Sequence, residues 1–176
     1  IFNDAFPNQN NDIFILIYEY QGENIFGASK DYLYQQFPIN SFKKFYNQLE
    51  MFDTSYTTTD EKGNHIFEKI EVRVIIGKLS VKNINISNIL NAIANTEMGF
   101  EPKMAQSIYF FDTSTDKAFY MYDDRGCFVW SDNADKIRDI YTKRNDWIVE
   151  YHRPTIEQYF KWLEEIIDNT WKRTLK

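Results

Sequence analysis

At 176 residues and 21.1 kDa the chain has the size of one ordinary domain, long enough to bury well over half of the surface its unfolded form exposes. Its 43% hydrophobic residues, with 15 Phe, 12 Tyr and 4 Trp, exclude intrinsic disorder, and no apolar run reaches the roughly 18 residues of a membrane span. The net charge of −6 is concentrated in Ile1 to Asp60, which holds 8 acidic and 3 basic residues and so disfavours binding to a phosphate backbone.

In chain order, Ile1 to Asp12 is Asn-rich, carries Pro7 and reads as a loop or a helix end. Ile13 to Tyr20 is a β-branched and aromatic run stopped near Gly22, which suits a strand buried on both faces. Ser29 to Phe37 fits strand or helix, and Pro38 ends it. Ser41 is placed to cap a helix, because Phe42, Phe45, Tyr46, Leu49 and Phe52 recur at helical spacing.

Thr57 to Asn64 is a polar loop. It leads to a long strand, Ile66 to Leu79, in which Ile70, Val72, Val74 and Ile76 alternate and face inward. Ser87 caps a helix with Ile89, Leu90, Ile93 and Ala94 on its core side and Gly99 past its end. Ser107 to Phe111, Ala118 to Tyr122 and Cys127 to Trp130 are separated by turns at Thr113 to Asp116 and Arg125-Gly126, the pattern of a three-stranded antiparallel meander.

Asp132 caps a further helix with Ile137, Ile140, Tyr141 and Ile148 inward, and Arg153-Pro154 breaks it. The last helix opens with the capping pair Thr155 and Gln158. It carries Ile156, Tyr159, Phe160, Leu163, Ile166, Ile167 and Trp171 on one face. These elements predict one α+β domain over residues 1–176, with an antiparallel sheet of about five strands, the meander among them, covered by four or so helices. The chain opens at Ile1 without a methionine, so an N-terminal segment of the native protein is expected to be missing.

Two histidines, His65 and His152, and one cysteine, Cys127, give no zinc spacing, and neither a phosphate-binding loop nor an EF-hand occurs, so no metal, cofactor or catalytic set is expected. Asp123-Asp124-Arg125-Gly126 has the residue types of an acid/base pair or a divalent-ion site. The local reading competes with it: adjacent Asp residues accept hydrogen bonds from turn amides, and Gly126 supplies a positive φ. His152, between helices beside Glu150 and Arg153, fits either a base or a packed helix end. Cys127, beside Phe128 and near Trp130, reads as an inert thiol, and its solitude points to a reducing compartment, the cytoplasm. Trp147 and Trp162 would serve as interface anchors wherever they are exposed.

Phe119 to Cys127, Ile140-Tyr141, Asn145 to Pro154 and Ile156 to Phe160, with Asp12 to Leu16 and Ile89 to Asn95 upstream, resemble the pattern of the bacterial family called domain of unknown function 3885. The resemblance covers most of the chain. It implies further residues before Ile1 and marks Asp123, Asp124, Arg125, Gly126 and Trp147 as the centre of the family pattern, while supplying no activity. On residues alone the function expected is a non-catalytic, cytoplasmic protein-binding domain of the immunity or antitoxin type. Its partner would be a protein, a basic toxin being the fit for the acidic charge, and neither nucleic acid nor membrane. The alternative is a metal-dependent hydrolase or transferase using Asp123, Asp124 and His152.

Overall fold

A computed structural model describes residues 1–20, 27–29, 31–38, 49–60 and 62–161, with 49–59 and 67–70 described by backbone alone. Six strands form one antiparallel sheet: β1 (Asp12–Tyr20), β2 (Leu49–Thr59), β3 (His65–Ser80), β4 (Ser107–Asp112), β5 (Lys117–Asp123) and β6 (Gly126–Ser131), in the order β2-β3-β1-β4-β5-β6. The expected α+β fold and the meander are present, with one strand more than expected. That strand is β2, at the edge, and it pairs with β3 from Leu49 opposite Ile75 to Thr59 opposite His65. Of the helix expected from Ser41, residues 39–48 lie outside the described part, and Leu49 and Phe52 belong to β2 instead. Their spacing of three imitates a helix, but the β-branched stretch Thr57 to Thr59 and a partner strand along the whole length decide for the sheet.

Pleating sends alternate residues of each strand to opposite faces. The core face carries Ile13, Ile15 and Ile17 of β1, Ile75 and Leu79 of β3, Ile108 and Phe110 of β4 and Phe119 of β5, all buried. Here β1 departs from the expectation of two buried faces, since Phe14, Leu16 and Tyr18 are only half-buried. In β3 the expected inward set also divides: Val72 and Val74 are buried on the second face, whereas Ile76 is exposed there.

The described helices cover the core face. Helix α1 (Phe2–Ala5) sets the Phe2 ring edge-on to Phe110 at 5.1 Å and to Phe119 at 5.3 Å. Helix α2 (Ile86–Met98) buries Ile89, Ala92 and Ile93 against the sheet and stops at Gly99, whose φ of 76° is the left-handed conformation that glycine adopts freely. It starts before Ser87, with Asn85 at the N-cap. A 3₁₀ turn, Ala134–Ile137, is capped by the side chain of Asn133, rather than Asp132, which accepts from the Asp135 N–H; α3 (Arg138–Lys143) follows. Residues 153–161 form helix α4. Pro154 does not break the chain there; it sits in the first turn, where its missing N–H is not needed. The Phe160 ring stacks on Tyr141 at 4.0 Å, joining α4 to α3. The positions expected to extend that helix, Trp162 to Trp171, lie outside the described residues. No described helix is long and apolar enough to cross a membrane.

Candidate functional site

Five of the six residues singled out in the sequence line one cleft. It has a volume of about 1230 Å³ and lies where the helix-covered layer emerges beyond β6. Phe2, Phe119 and Ile140 make an apolar floor, the β5–β6 hairpin tip supplies Asp124, Arg125 and Gly126, and the segment between α3 and α4 supplies Trp147 and His152.

Asp123 itself does not line the cleft and organises the tip. It lies on the buried face of β5, where its carboxylate accepts the Arg125 N–H at 2.7 Å through Oδ1 and the Arg125 Nε–H at 2.9 Å through Oδ2, with a further bond from Arg125 Nη2. The Arg125 guanidinium holds this carboxyl below the usual carboxylate range against the opposing effect of desolvation, and the pair raises Arg125 in turn. An aspartate spent on a turn amide and an arginine is a structural acid. Asp124, next in sequence, is exposed and takes part in no described ion pair.

Gly126 does not have the positive φ expected of it. Its reason is proximity: a Cβ there would run into the Tyr122 hydroxyl. The pairing of β5 with β6 shifts between Met121 and Asp123, and beside that bulge Tyr122 lies over Phe128 at 5.1 Å and closes down on the glycine. Cys127 is half-buried and burial pushes its thiol up, as an inert thiol requires.

Trp147, which lines the cleft, is 62% exposed, and Tyr151, outside the lining but next to His152, is 85% exposed. Their segment is nevertheless fastened. Arg153, from the first turn of α4, donates to Asn145 Oδ1 at 3.0 Å, to the Asn145 carbonyl at 3.1 Å and to the Ile148 carbonyl at 3.2 Å, and pairs with Glu150 at 2.7 Å. Arg144 lies 5.2 Å from the Trp147 ring centroid while bonding Asp4 at 2.8 Å. Lys143 bonds the same carboxylate, and with Arg144 it holds Asp4 at about 2, although desolvation opposes them. Sequence reasoning missed Arg153 and Asp4 as organisers of this site. The only signal for Arg153 was its place beside Pro154 at a helix start, and nothing local links Asp4 to a cation about 140 positions away.

His152 lines the same cleft with its ring edge-on to Tyr151 at 5.0 Å. His65 is exposed at the β2–β3 turn, away from the cleft. Among the described residues no group of three or more His, Cys, Asp or Glu side chains is placed to hold a metal ion.

The family described as domain of unknown function (DUF3885) matches residues 1–152, and the chain belongs to that family. Asp123, Asp124, Arg125, Gly126, Trp147 and His152 all fall within the matched stretch. A Bacillus subtilis (strain 168) relative, "Uncharacterized protein YnaE", is 27% identical over 157 residues, which are 86% of this chain and 71% of the relative. No solved structure matches the chain.

Proposed function

We propose that this DUF3885 member is a cytoplasmic protein-binding domain of the immunity or antitoxin type, which neutralises a toxin by covering its surface, and that the cleft seats an apolar side chain of that partner. The observation carrying this reading is Trp147, exposed in the lining of an apolar cleft, with Tyr151 exposed beside the lining residue His152. Tryptophan and tyrosine are the residues that dominate binding energy when a partner desolvates them. Arg153 and Arg144 fasten the segment bearing them in advance, which lowers the ordering entropy that binding costs.

Charge indicates the kind of partner. The arginines around the cleft are engaged, Arg125 with Asp123, Arg144 with Asp4 and Arg153 with Glu150, whereas the exposed Asp124 and Asp146 have no described ion pair. The exposed carboxylate of Asp124, which lines the cleft without an ion pair among the described residues, therefore suits a basic protein surface. The acidic excess of the first third contributes less than its number suggests, because Asp4 is paired with Lys143 and Arg144, buried Glu19 with Arg73, and Asp60 is used within the turn to Asn64. The half-buried, unpaired Cys127 thiol fits a reducing compartment.

The test begins with affinity capture from the native host and identification of what is retained, followed by titration calorimetry with the purified partner. Trp147→Ala is expected to weaken binding at least about tenfold, and Asp124→Arg to weaken it and flatten its salt dependence. A partner bound equally well by both variants, or a retained protein without toxic activity, would refute the reading. The metal-dependent hydrolase or transferase is kept as a second reading because Asp124 and His152 line one cleft. It requires Asp123 to release Arg125. Stoichiometric retention of magnesium, manganese or zinc, lost in both Asp124→Asn and His152→Ala, would establish it in place of the first.

A further inference from the structure

One wall of the cleft is the edge of the sheet itself. The lining runs through Gly126, Cys127, Phe128 and Val129 without a gap. Pleating sends Cys127 and Val129 to the core face, where they pack on the buried cluster, and Phe128 to the second face, against Tyr122. Residues of both faces border one cavity only where it reaches around the strand, so the main-chain edge of β6 stands in the cleft wall.

That edge is open. β6 ends the strand order, its pairing with β5 is regular from Lys117 opposite Ser131 to Met121 opposite Cys127, and among the described residues no other hydrogen bond reaches the main chain of Cys127, Phe128 or Val129. In an antiparallel pair alternate residues turn both N–H and C=O away from the neighbouring strand, so β6 offers donors and acceptors to the cleft. Edge strands are commonly blunted by charged side chains or proline. β6, Gly-Cys-Phe-Val-Trp-Ser, has neither, whereas β2 at the opposite edge contains Glu50 and Asp53.

Resting on the reading of the cleft as a protein-binding site, we propose that the partner presents an extended segment that pairs with β6 as an added strand, with a basic residue at its end beside Asp124. Main-chain chemistry selects the extended form. A helix has its amides and carbonyls bonded internally and leaves the edge unsatisfied, while a strand bonds it along its length. Size agrees: at about 1230 Å³ the cleft exceeds the ~300–1,000 Å³ of small-molecule sites. Alternate side chains of the added strand meet the apolar floor of Phe2, Phe119 and Ile140 on one side and the half-exposed Phe128 ring on the other. Charge completes the match, because the exposed Asp124 lines the cleft at the hairpin tip from which β6 starts and has no ion pair among the described residues.

The probe is a capped peptide of alternating valine and threonine flanked by lysine at both ends, so that either strand direction brings a cation to Asp124. In the free chain, amide exchange followed by nuclear magnetic resonance is expected to show alternate amides of Cys127 to Val129 exchanging fast beside slow neighbours. With the peptide near ~1 mM the fast amides should slow at least about tenfold. A proline at the peptide's centre, which removes a donor, should weaken binding at least about tenfold. Asp124→Lys should weaken it as well, and this variant should prefer a peptide flanked by glutamate. Amides already slow in the free chain would overturn the proposal, because the edge would then be covered by another part of the chain or by a second copy. So would a peptide that does not bind near ~1 mM, or one that binds without protecting β6. These readouts need no toxin, so the two readings fail separately. A captured toxin whose complex leaves the β6 amides fast would sink the added strand alone, and a non-toxic partner that protects them would sink the toxin reading alone.

Discussion

The two faces of the sheet are built from alternate residues of the same strands, yet they differ in chemistry. The core face takes Ile13, Ile15 and Ile17 from β1, Ile108 and Phe110 from β4 and Phe119 from β5, side chains without a polar atom. The second face takes Phe14 and Tyr18, Tyr109 and Phe111, Tyr120 and Tyr122, and Phe128 and Trp130, most of which combine a large apolar body with a hydroxyl or an N–H. Both are hydrophobic by any scale. The difference is that the first seals apolar side chains, its few buried carboxylates (Glu19, Asp112 and Asp123) being paired within the fold, while the second retains groups that water or a partner must satisfy.

The comparison breaks first under truncation. Phe110→Ala or Phe119→Ala removes a ring that is almost completely buried among Phe2 and its neighbours, and each is expected to cost about 3–5 kcal/mol in chemical denaturation. Phe128→Ala, at a ring that is 52% exposed, is expected to cost less than about 1 kcal/mol. Equal losses at the two faces would mean that the aromatic face is part of the folding core and not a surface.

The cleft segment is the next largest case. Arg153→Ala removes charge-assisted bonds to two main-chain carbonyls and to Asn145, and is expected to lower stability by about 2 kcal/mol. Amide hydrogen exchange over 145–150 should accelerate in this variant while β1 and β4 stay protected. Arg153→Lys should not restore the protection, since an ammonium cannot reproduce the forked geometry.

Acid titration isolates the other fastening. Lowered to about 2 from 3.8, Asp4 binds its proton more weakly in the folded state than in the unfolded one. The stability it contributes is therefore fully present above about pH 4 and is lost as pH falls through about 2. With Asp4 mostly buried but Lys143 largely exposed, solvent screening reduces that contribution to about 1 kcal/mol. Asp4→Asn should lower stability by that amount at neutral pH and flatten the decline between pH 4 and 2. An unchanged acid slope would show that the pair contributes nothing.

What the sequence made legible follows from the range of the forces involved. The meander, α2 with its Gly99 stop and the grouping of Asp124, Arg125 and Gly126 at one tip depend on neighbours in the chain, and all could be read. The identity of β2 could not, because Leu49 and Phe52 have helical spacing and only pairing with a strand beginning six residues past Thr59 decides the matter. Nor could the open face, since β6 reads as an alternation in which Val129 and Trp130 are equally apolar. Which one meets helices is settled by where α1 and α3 land. The fastening of Trp147 by Arg153 and the reach of Asp4 to Arg144 are likewise tertiary facts without a local signature.

The smallest expected effect lies at Gly126, on the border between the two faces. Its backbone is not in the left-handed region, so an alanine there costs no conformational strain. What the added Cβ meets is the far end of Tyr122, a partly exposed ring free to turn toward solvent. Gly126→Ala should therefore change stability by less than about 0.5 kcal/mol, as other surface substitutions do. It should still displace Tyr122 from Phe128, seen as loss of the cross-peak between their ring protons in a nuclear Overhauser spectrum. The β-branched Gly126→Val should displace the ring more completely at a similar cost. If alanine instead lowered stability by more than about 1.5 kcal/mol with the ring contact retained, the glycine would be required by the hairpin backbone and Tyr122 would be held rigidly in place. The border between the faces would then be a fixed edge of the core, where the present geometry makes it an adjustable rim.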